Sequence, residues 1–110
     1  MRILFLDDNA ARAAAFRTKY PEMVWVSTCE ECIDALLTVT WDMVCLDYDL
    51  SGESASQVFY WLVKNIPSCR IVIHSTNLYA AVEQAARLRG VGLSVDVVPF
   101  TFAPGGPFNL

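Results

Sequence analysis

Three short segments hold the residues best suited to acid–base, metal or phosphate chemistry: Asp7-Asp8-Asn9, Asp47-Tyr48-Asp49 and His74-Ser75-Thr76-Asn77. Each closes an apolar run, respectively Ile3 to Leu6, Val44 to Leu46 and Ile71 to Ile73, with the length and composition of a buried strand. Carboxylates forced together repel one another, and burial raises the cost, unless a proton or a divalent cation resolves it. Asp7, Asp8 and Asp47 are hard oxygen ligands that suit Mg2+, which keeps waters and leaves room for a phosphate. The competing reading has Asp8 capping the next helix and Asp47 merely ending a strand. His74, the single histidine, stands where an imidazole acts as general acid or base, with Ser75 and Asn77 to hold phosphate oxygens. Its alternative is a histidine hydrogen-bonded beneath a loop. Arg12, just beyond the acidic pair, reaches an anion over the same crevice or lies along a solvated helix face.

These segments need elements to bring them together. Residues 2 to 6 form a first strand, capped by Asn9 or Asp8 into a helix from Ala10 to Lys19 that buries Ala13, Phe16 and Tyr20 and ends at Pro21. Met23 to Val26 is a second strand. Ser27 or Thr28 caps a second helix running to about Val39, with Glu30 and Glu31 at its positive end and Ile33, Leu36 and Leu37 inward. A third strand, Asp42 to Asp47, meets the Ser51-Gly52 turn; a third helix, Glu53 to Asn65, buries Val58, Trp61 and Leu62 and stops at Pro67. Arg70 to His74 is a fourth strand. Asn77 or Thr76 caps a fourth helix, Leu78 to Arg89, closed by Gly90. Leu93 to Val98 is the fifth strand. Alternating strands and helices with short connections imply a parallel sheet with right-handed crossovers. In such sheets ligands bind outside the carboxyl ends of the strands, where the strand order reverses, so the three polar tips share one crevice.

The chain has 110 residues, 55% of them hydrophobic and 18% charged, which bounds it to one domain with a sheet covered on both faces. A formal charge of -4 argues against an extended nucleic-acid surface. A small phosphorylated ligand stays open. There is no signal-like N-terminus and no membrane-length apolar run, so the expected location is cytoplasmic with no membrane partner. Four cysteines, at 29, 32, 45 and 69, are expected as reduced thiols, and Cys29-x-x-Cys32 as small buried residues and not a metal site. Thr101 to Leu110 is too rich in Pro and Gly for a helix. Phe100, Phe102 and Phe108 are expected to fold back over the thinly covered flank of the sheet; a homodimer contact is the alternative.

The Asp-Asp pair after the first strand, the Asp closing the third and the hydroxyl residue closing the fourth resemble the receiver domains of two-component signalling. That resemblance implies Asp8 and Asp47 as metal ligands, Asp47 as phosphoacceptor and Ser75 as the hydroxyl on the phosphoryl group. Val98 precedes Pro99 where receivers carry a lysine, and the fifth helix is missing. The opening Ile3-Leu4-Phe5-Leu6-Asp7-Asp8, Trp41-Asp42 leading to Leu46-Asp47-x-Asp49-Leu50, and Ile73-His74-Ser75-x-Asn77 are more closely similar to the cyclic-phosphate processing receiver domains. Tyr48 stands where many members carry a histidine. The implied activity is handling of a cyclic phosphate or related nucleotide.

The expectation is therefore a flavodoxin-like, receiver-like doubly wound sheet of five parallel strands in the order 2-1-3-4-5, over residues 1–100 and without its final helix, followed by an irregular tail, 101–110. His74 and Asp47 are its candidate catalytic residues. Ser75, Asn77, Arg12 and Asp49 are candidate phosphate contacts, and Asp7, Asp8 and Asp47 the candidate Mg2+ ligands. The expected ligand is a cyclic nucleotide or terminal cyclic phosphate, bound or hydrolysed. A degenerate receiver acting through protein contacts is the alternative.

Overall fold

The computed structural model describes residues 1–50 and 55–100. Nine elements alternate along the chain: β1 (Ile3–Leu6), α1 (Ala10–Lys19), β2 (Val24–Val26), α2 (Cys29–Thr38), β3 (Met43–Asp47), α3 (Ser56–Asn65), β4 (Arg70–His74), α4 (Leu78–Gly90) and β5 (Ser94–Val97). All strand pairings are parallel and the order is β2-β1-β3-β4-β5. The chain reverses its direction of winding between β1 and β3. The crevice above those two strands is where the fold leaves room for a ligand.

Two-residue periodicity divides the core. Leu4, Leu6, Val44, Leu46, Ile71 and Ile73 face one way and pack with Cys32, Leu36, Val58, Leu62, Ala85 and Leu88 of α2, α3 and α4. Ile3, Phe5, Met43, Cys45 and Val72 face the other way, against Ala13 and Phe16 of α1. The second face has only α1 among the described helices, and Val98 and Phe100 help to fill what remains. Phe100 lies 6.2 Å from the Phe5 ring, as the expected fold-back requires. Phe102, Phe108 and the rest of the tail lie outside the described residues, as do the Ser51-Gly52 turn and the expected start of α3 at Glu53.

Helix starts follow side-chain chemistry closely. Asn9 caps α1 by accepting from the Arg12 amide at 3.0 Å; Thr28 caps α2 from Glu31, whose carboxylate returns to the Ser27 and Thr28 hydroxyls. This reciprocal arrangement satisfies otherwise orphaned donors. Asn77 caps α4 through the Ala80 amide at 3.2 Å.

Three expectations need correction. Leu37 is 66% exposed: the buried stripe of α2 is Cys29, Cys32 and Leu36, and Leu37 stands one residue, about 100°, further round the helix. On α3, Phe59 joins Val58 and Leu62 inside, while Trp61 is only half-buried. The helix α4 also runs through Gly90, and the left-handed backbone falls at Gly92, with φ of 101°. All four cysteines are buried and outside any disulfide, and burial pushes Cys32 up to about 12 and Cys69 up to about 11. They are packing residues. Among the described residues no helix is long and apolar enough to cross a membrane.

Candidate functional site

The strand ladders carry the acidic tips into one row. Leu6 is in register with Leu46, and Asp47 with His74. The ladder continues past the strands through Tyr48 N–H donating to the His74 carbonyl at 3.0 Å and Asp7 N–H donating to the Val26 carbonyl at 3.1 Å. By alternation, Asp7, Asp47 and His74 extend the face of Phe5, Cys45 and Val72. That is the thinly covered face. Asp7, Asp47 and His74 are all buried, and one oxygen or nitrogen from each lies within 4.8 Å of the others.

Arg12 is shared among the carboxylates. Its Nε donates to Asp7 Oδ2 at 2.7 Å and its Nη2 donates to Asp7 Oδ1 at 2.9 Å and Asp47 Oδ2 at 3.3 Å. The same nitrogen is 3.8 Å from Asp8 Oδ1. His74 Nε2 lies 2.9 Å from Asp7 Oδ2, with its ring stacked on Phe5 and tilted against Phe100. Burial alone would raise the Asp7 carboxyl, but His74, Arg12 and the Asn9 amide together bring it down to about 2. Asp47 goes the other way: burial, followed by the nearby Asp7 charge, pushes it up to about 6. Two carboxylates of one cluster thus hold their protons very differently, because Asp7 has the better partners.

A second cluster sits beside the first. The Asp49 carboxylate accepts from the Ser75 hydroxyl, from the Thr76 amide at 3.2 Å and from the Thr76 hydroxyl at 3.4 Å. Ser75 Oγ accepts in turn from the Asn77 amide at 2.8 Å, and the Asp49 amide donates to Asp47 Oδ1 at 3.0 Å. Asp8, Asn9, Arg12, Asp47, Asp49, His74, Ser75 and Thr76 line the polar part of a cleft of about 870 Å³, and Leu78, Pro99 and Phe100 form its apolar wall.

The expected site residues therefore fall into groups. Asp7, Arg12, Asp47 and His74 converge, Asp8 lies 3.8 Å from Arg12 outside that cluster, and Asp49 and Ser75 stand beside it. Asn77 does not line the cleft, because its side-chain carbonyl is committed to the α4 cap. Arg12 points at the carboxylates and not along a solvated face, and Asp8 is not the α1 cap. His74 lines the cleft and meets Asp7 through Nε2. Thr76 and the Leu78, Pro99 and Phe100 wall were not foreseen as lining residues. The only sequence signal for Thr76 was its place beside Ser75 at a strand tip.

A family model for the cyclic-phosphate processing receiver domain matches residues 2–90. The chain belongs to that family. Among solved structures, the receiver domain resembles a CheY-like response regulator receiver domain from Methylobacillus flagellatus at 19% identity and a TM-score of 0.69, covering 88% of this chain and 82% of that one. It also resembles the response regulator TrrA from Thermotoga maritima in complex with Mg2+-BeF, at 19% identity and a TM-score of 0.71, covering 92% of this chain and 89% of that one. A response regulator from Burkholderia pseudomallei with a phosphorylated aspartic acid, calcium ion and citrate matches at 17% identity and a TM-score of 0.70, over 87% of this receiver domain and 58% of that chain. These likenesses establish the fold. A search of curated proteins found no match.

Proposed function

We propose that this receiver domain binds a cyclic phosphate or related nucleotide at the cleft above Asp47, together with Mg2+. The observation that carries the reading is the cleft itself. At about 870 Å³ it falls in the range of small-molecule sites and is far larger than a phosphoryl group needs. A polar end rich in carboxylate, hydroxyl and guanidinium groups faces an apolar wall of Leu78, Pro99 and Phe100, which suits a ligand with a charged group at one end and a flat or apolar body at the other.

The donor set fits a hard divalent cation. Asp7 and Asp47 are buried carboxylates facing one another, Asp8 is close by, and the guanidinium of Arg12 is shared among all three. Asp7, Asp8 and Asp47 would hold the ion, which when bound supplies a Lewis acid for a phosphoryl oxygen. Arg12 and the hydroxyls of Ser75 and Thr76 would hold the remaining oxygens. His74 acts through Asp7, fixing its carboxylate by hydrogen bonding, and so is a positioning residue in this reading. Processing by hydrolysis adds a water and a proton transfer to the same arrangement.

The test is a thermal-shift screen of cyclic nucleotides and terminal cyclic phosphates with and without Mg2+, followed by phosphorus NMR on any ligand that binds. A ligand at a hundred times its Kd stabilises the folded state by about 2.7 kcal/mol. A rise in melting temperature that needs Mg2+ supports the reading, and conversion of the cyclic phosphorus signal extends it to hydrolysis. No shift from any phosphate in the presence of Mg2+ would sink it.

A second reading, a degenerate receiver that signals through protein contacts, draws on the exposed Leu78, Tyr79 and Val82 of α4. An ordinary receiver is expected to stabilise its acyl phosphate with the lysine that Val98 replaces here. Acetyl phosphate should accordingly leave little lasting phosphorylation on Asp47. Intact-mass detection of a stoichiometric, long-lived phosphoprotein would favour the second reading.

A further inference from the structure

We propose that Arg12 is a displaceable internal counter-ion: it occupies the carboxylate oxygens that a divalent cation needs, and binding of that cation frees its guanidinium to take the ligand's phosphate. The inference rests on the metal-and-phosphate reading above and adds to it an order of events and a coupling between the two partners.

The geometry points this way for three reasons. One edge of the guanidinium serves several carboxylates, bonding both oxygens of Asp7 and one of Asp47 and lying 3.8 Å from Asp8. A cation bound through these carboxylates would compete for the same lone pairs. The guanidinium is also shared among three acids, and a divalent ion would bring twice its charge to the same oxygens. Finally, Arg12 is tethered at the edge of the cleft. It is the third residue of α1, its backbone amide is held by the Asn9 cap, and its side chain is 26% exposed where Asp7 is fully buried. A long, planar donor released there stays within the cleft that it already lines, and guanidinium groups bind phosphate in the same bidentate way that they bind carboxylate. Lysine could not span two carboxylates with one planar edge.

Linkage then fixes the behaviour. If Mg2+ raises phosphate affinity by freeing Arg12, phosphate must raise Mg2+ affinity by the same factor. The charge on Arg12 should weaken Mg2+ binding in the absence of phosphate and strengthen phosphate binding in the presence of Mg2+.

The experiment uses the full chain with Mg2+ and inorganic phosphate as probes. Calorimetry with Mg2+ alone should show Arg12→Gln binding the ion more tightly than wild type, by about tenfold, a usual size for such couplings, with Arg12→Lys between them. Mg2+ should raise the phosphate affinity of wild type, and Arg12→Gln should lose most of that gain. Because Arg12→Gln leaves Asp7 short of a buried partner and could fold poorly, a measurement on wild type stands beside it. The Arg12 Nε–H signal, assigned by its disappearance in Arg12→Lys, should move from a hydrogen-bonded to a solvent-exposed position in proton–nitrogen NMR as Mg2+ is added. Wild type that binds Mg2+ with an unmoved Arg12 signal, or an Arg12→Gln protein that binds it no better, makes Arg12 a fixed support and overturns the proposal while leaving the metal reading intact. Release of Arg12 without any gain in phosphate affinity overturns the coupling. Absence of Mg2+ binding in both proteins removes the metal reading and the proposal together.

Discussion

Asp47→Asn should make the metal-free protein more stable at pH 8, by about 2–3 kcal/mol, and should make it indifferent to Mg2+. The sign follows from the direction of the Asp47 shift. Its carboxyl is raised in the folded protein from 3.8 to about 6, so the associated stability is fully present below about pH 4 and is lost as the pH rises through 6. Above that, the folded chain carries a buried charge facing Asp7. Asparagine has the shape of the neutral acid and can still accept from the Asp49 amide. The gain should therefore vanish near pH 4 and grow toward neutrality, giving the variant a flatter profile than wild type. Urea unfolding at a series of pH values between 4 and 8, with and without Mg2+, checks this. Parallel profiles for the two proteins would show that Asp47 is not the group that titrates.

Asp7→Asn should have the opposite effect, costing about 2–4 kcal/mol at neutral pH. Removing one partner of a buried ion pair leaves the other uncompensated, at a typical cost of about 3–5 kcal/mol. Water reaches the exposed quarter of Arg12, which places the figure toward the lower end. The Asp7 carboxyl is lowered from 3.8 to about 2. Its own stabilisation is complete above about pH 4 and fades only as the pH falls through 2, so the penalty should persist through neutrality, becoming smaller above about pH 6 because wild type there also bears the repulsion between Asp7 and Asp47. The same unfolding series reads it. A loss below 1 kcal/mol would mean that Arg12 and His74 find equal partners elsewhere.

The sheet was legible because its signals are local. Short apolar runs ending in Asp or His, with Asn, Thr or Ser in position to cap the next helix, gave the strands, the helix starts and their order along the chain. The convergence of Asp7, Asp47 and His74 followed from the topology. What resisted reading depends on where long side chains end. Arg12 lay on a short Ala-rich helix, and nothing in its neighbours distinguishes an arginine turned inward onto two carboxylates from one turned toward solvent. His74 does line the cleft at the end of its strand, but only the two-residue alternation that continues the Phe5 face shows that its ring also meets Asp7. Leu37 is a related case: in the ten-residue helix α2, Ile33-Leu36-Leu37 and Cys29-Cys32-Leu36 are both helical stripes that share Leu36, and periodicity alone does not say on which side of Leu36 the buried stripe ends. The cleft's apolar wall joins the start of α4 to the exit of β5, a tertiary proximity no local pattern announces.

The alternation that aims Asp7, Asp47 and His74 at one face also constrains how this chain can change in length. A single residue gained or lost inside Met43–Asp47 would turn Asp47 toward α2 and α3 and bring Leu46 or its replacement to the crevice. The same slip in Ile3–Leu6 or Arg70–His74 would remove Asp7 or His74. Insertions and deletions among related sequences should therefore be confined to the connections at the opposite ends of the strands and to the helices. The spacing from each apolar run to its polar tip should be kept even where the residues of the run itself are exchanged.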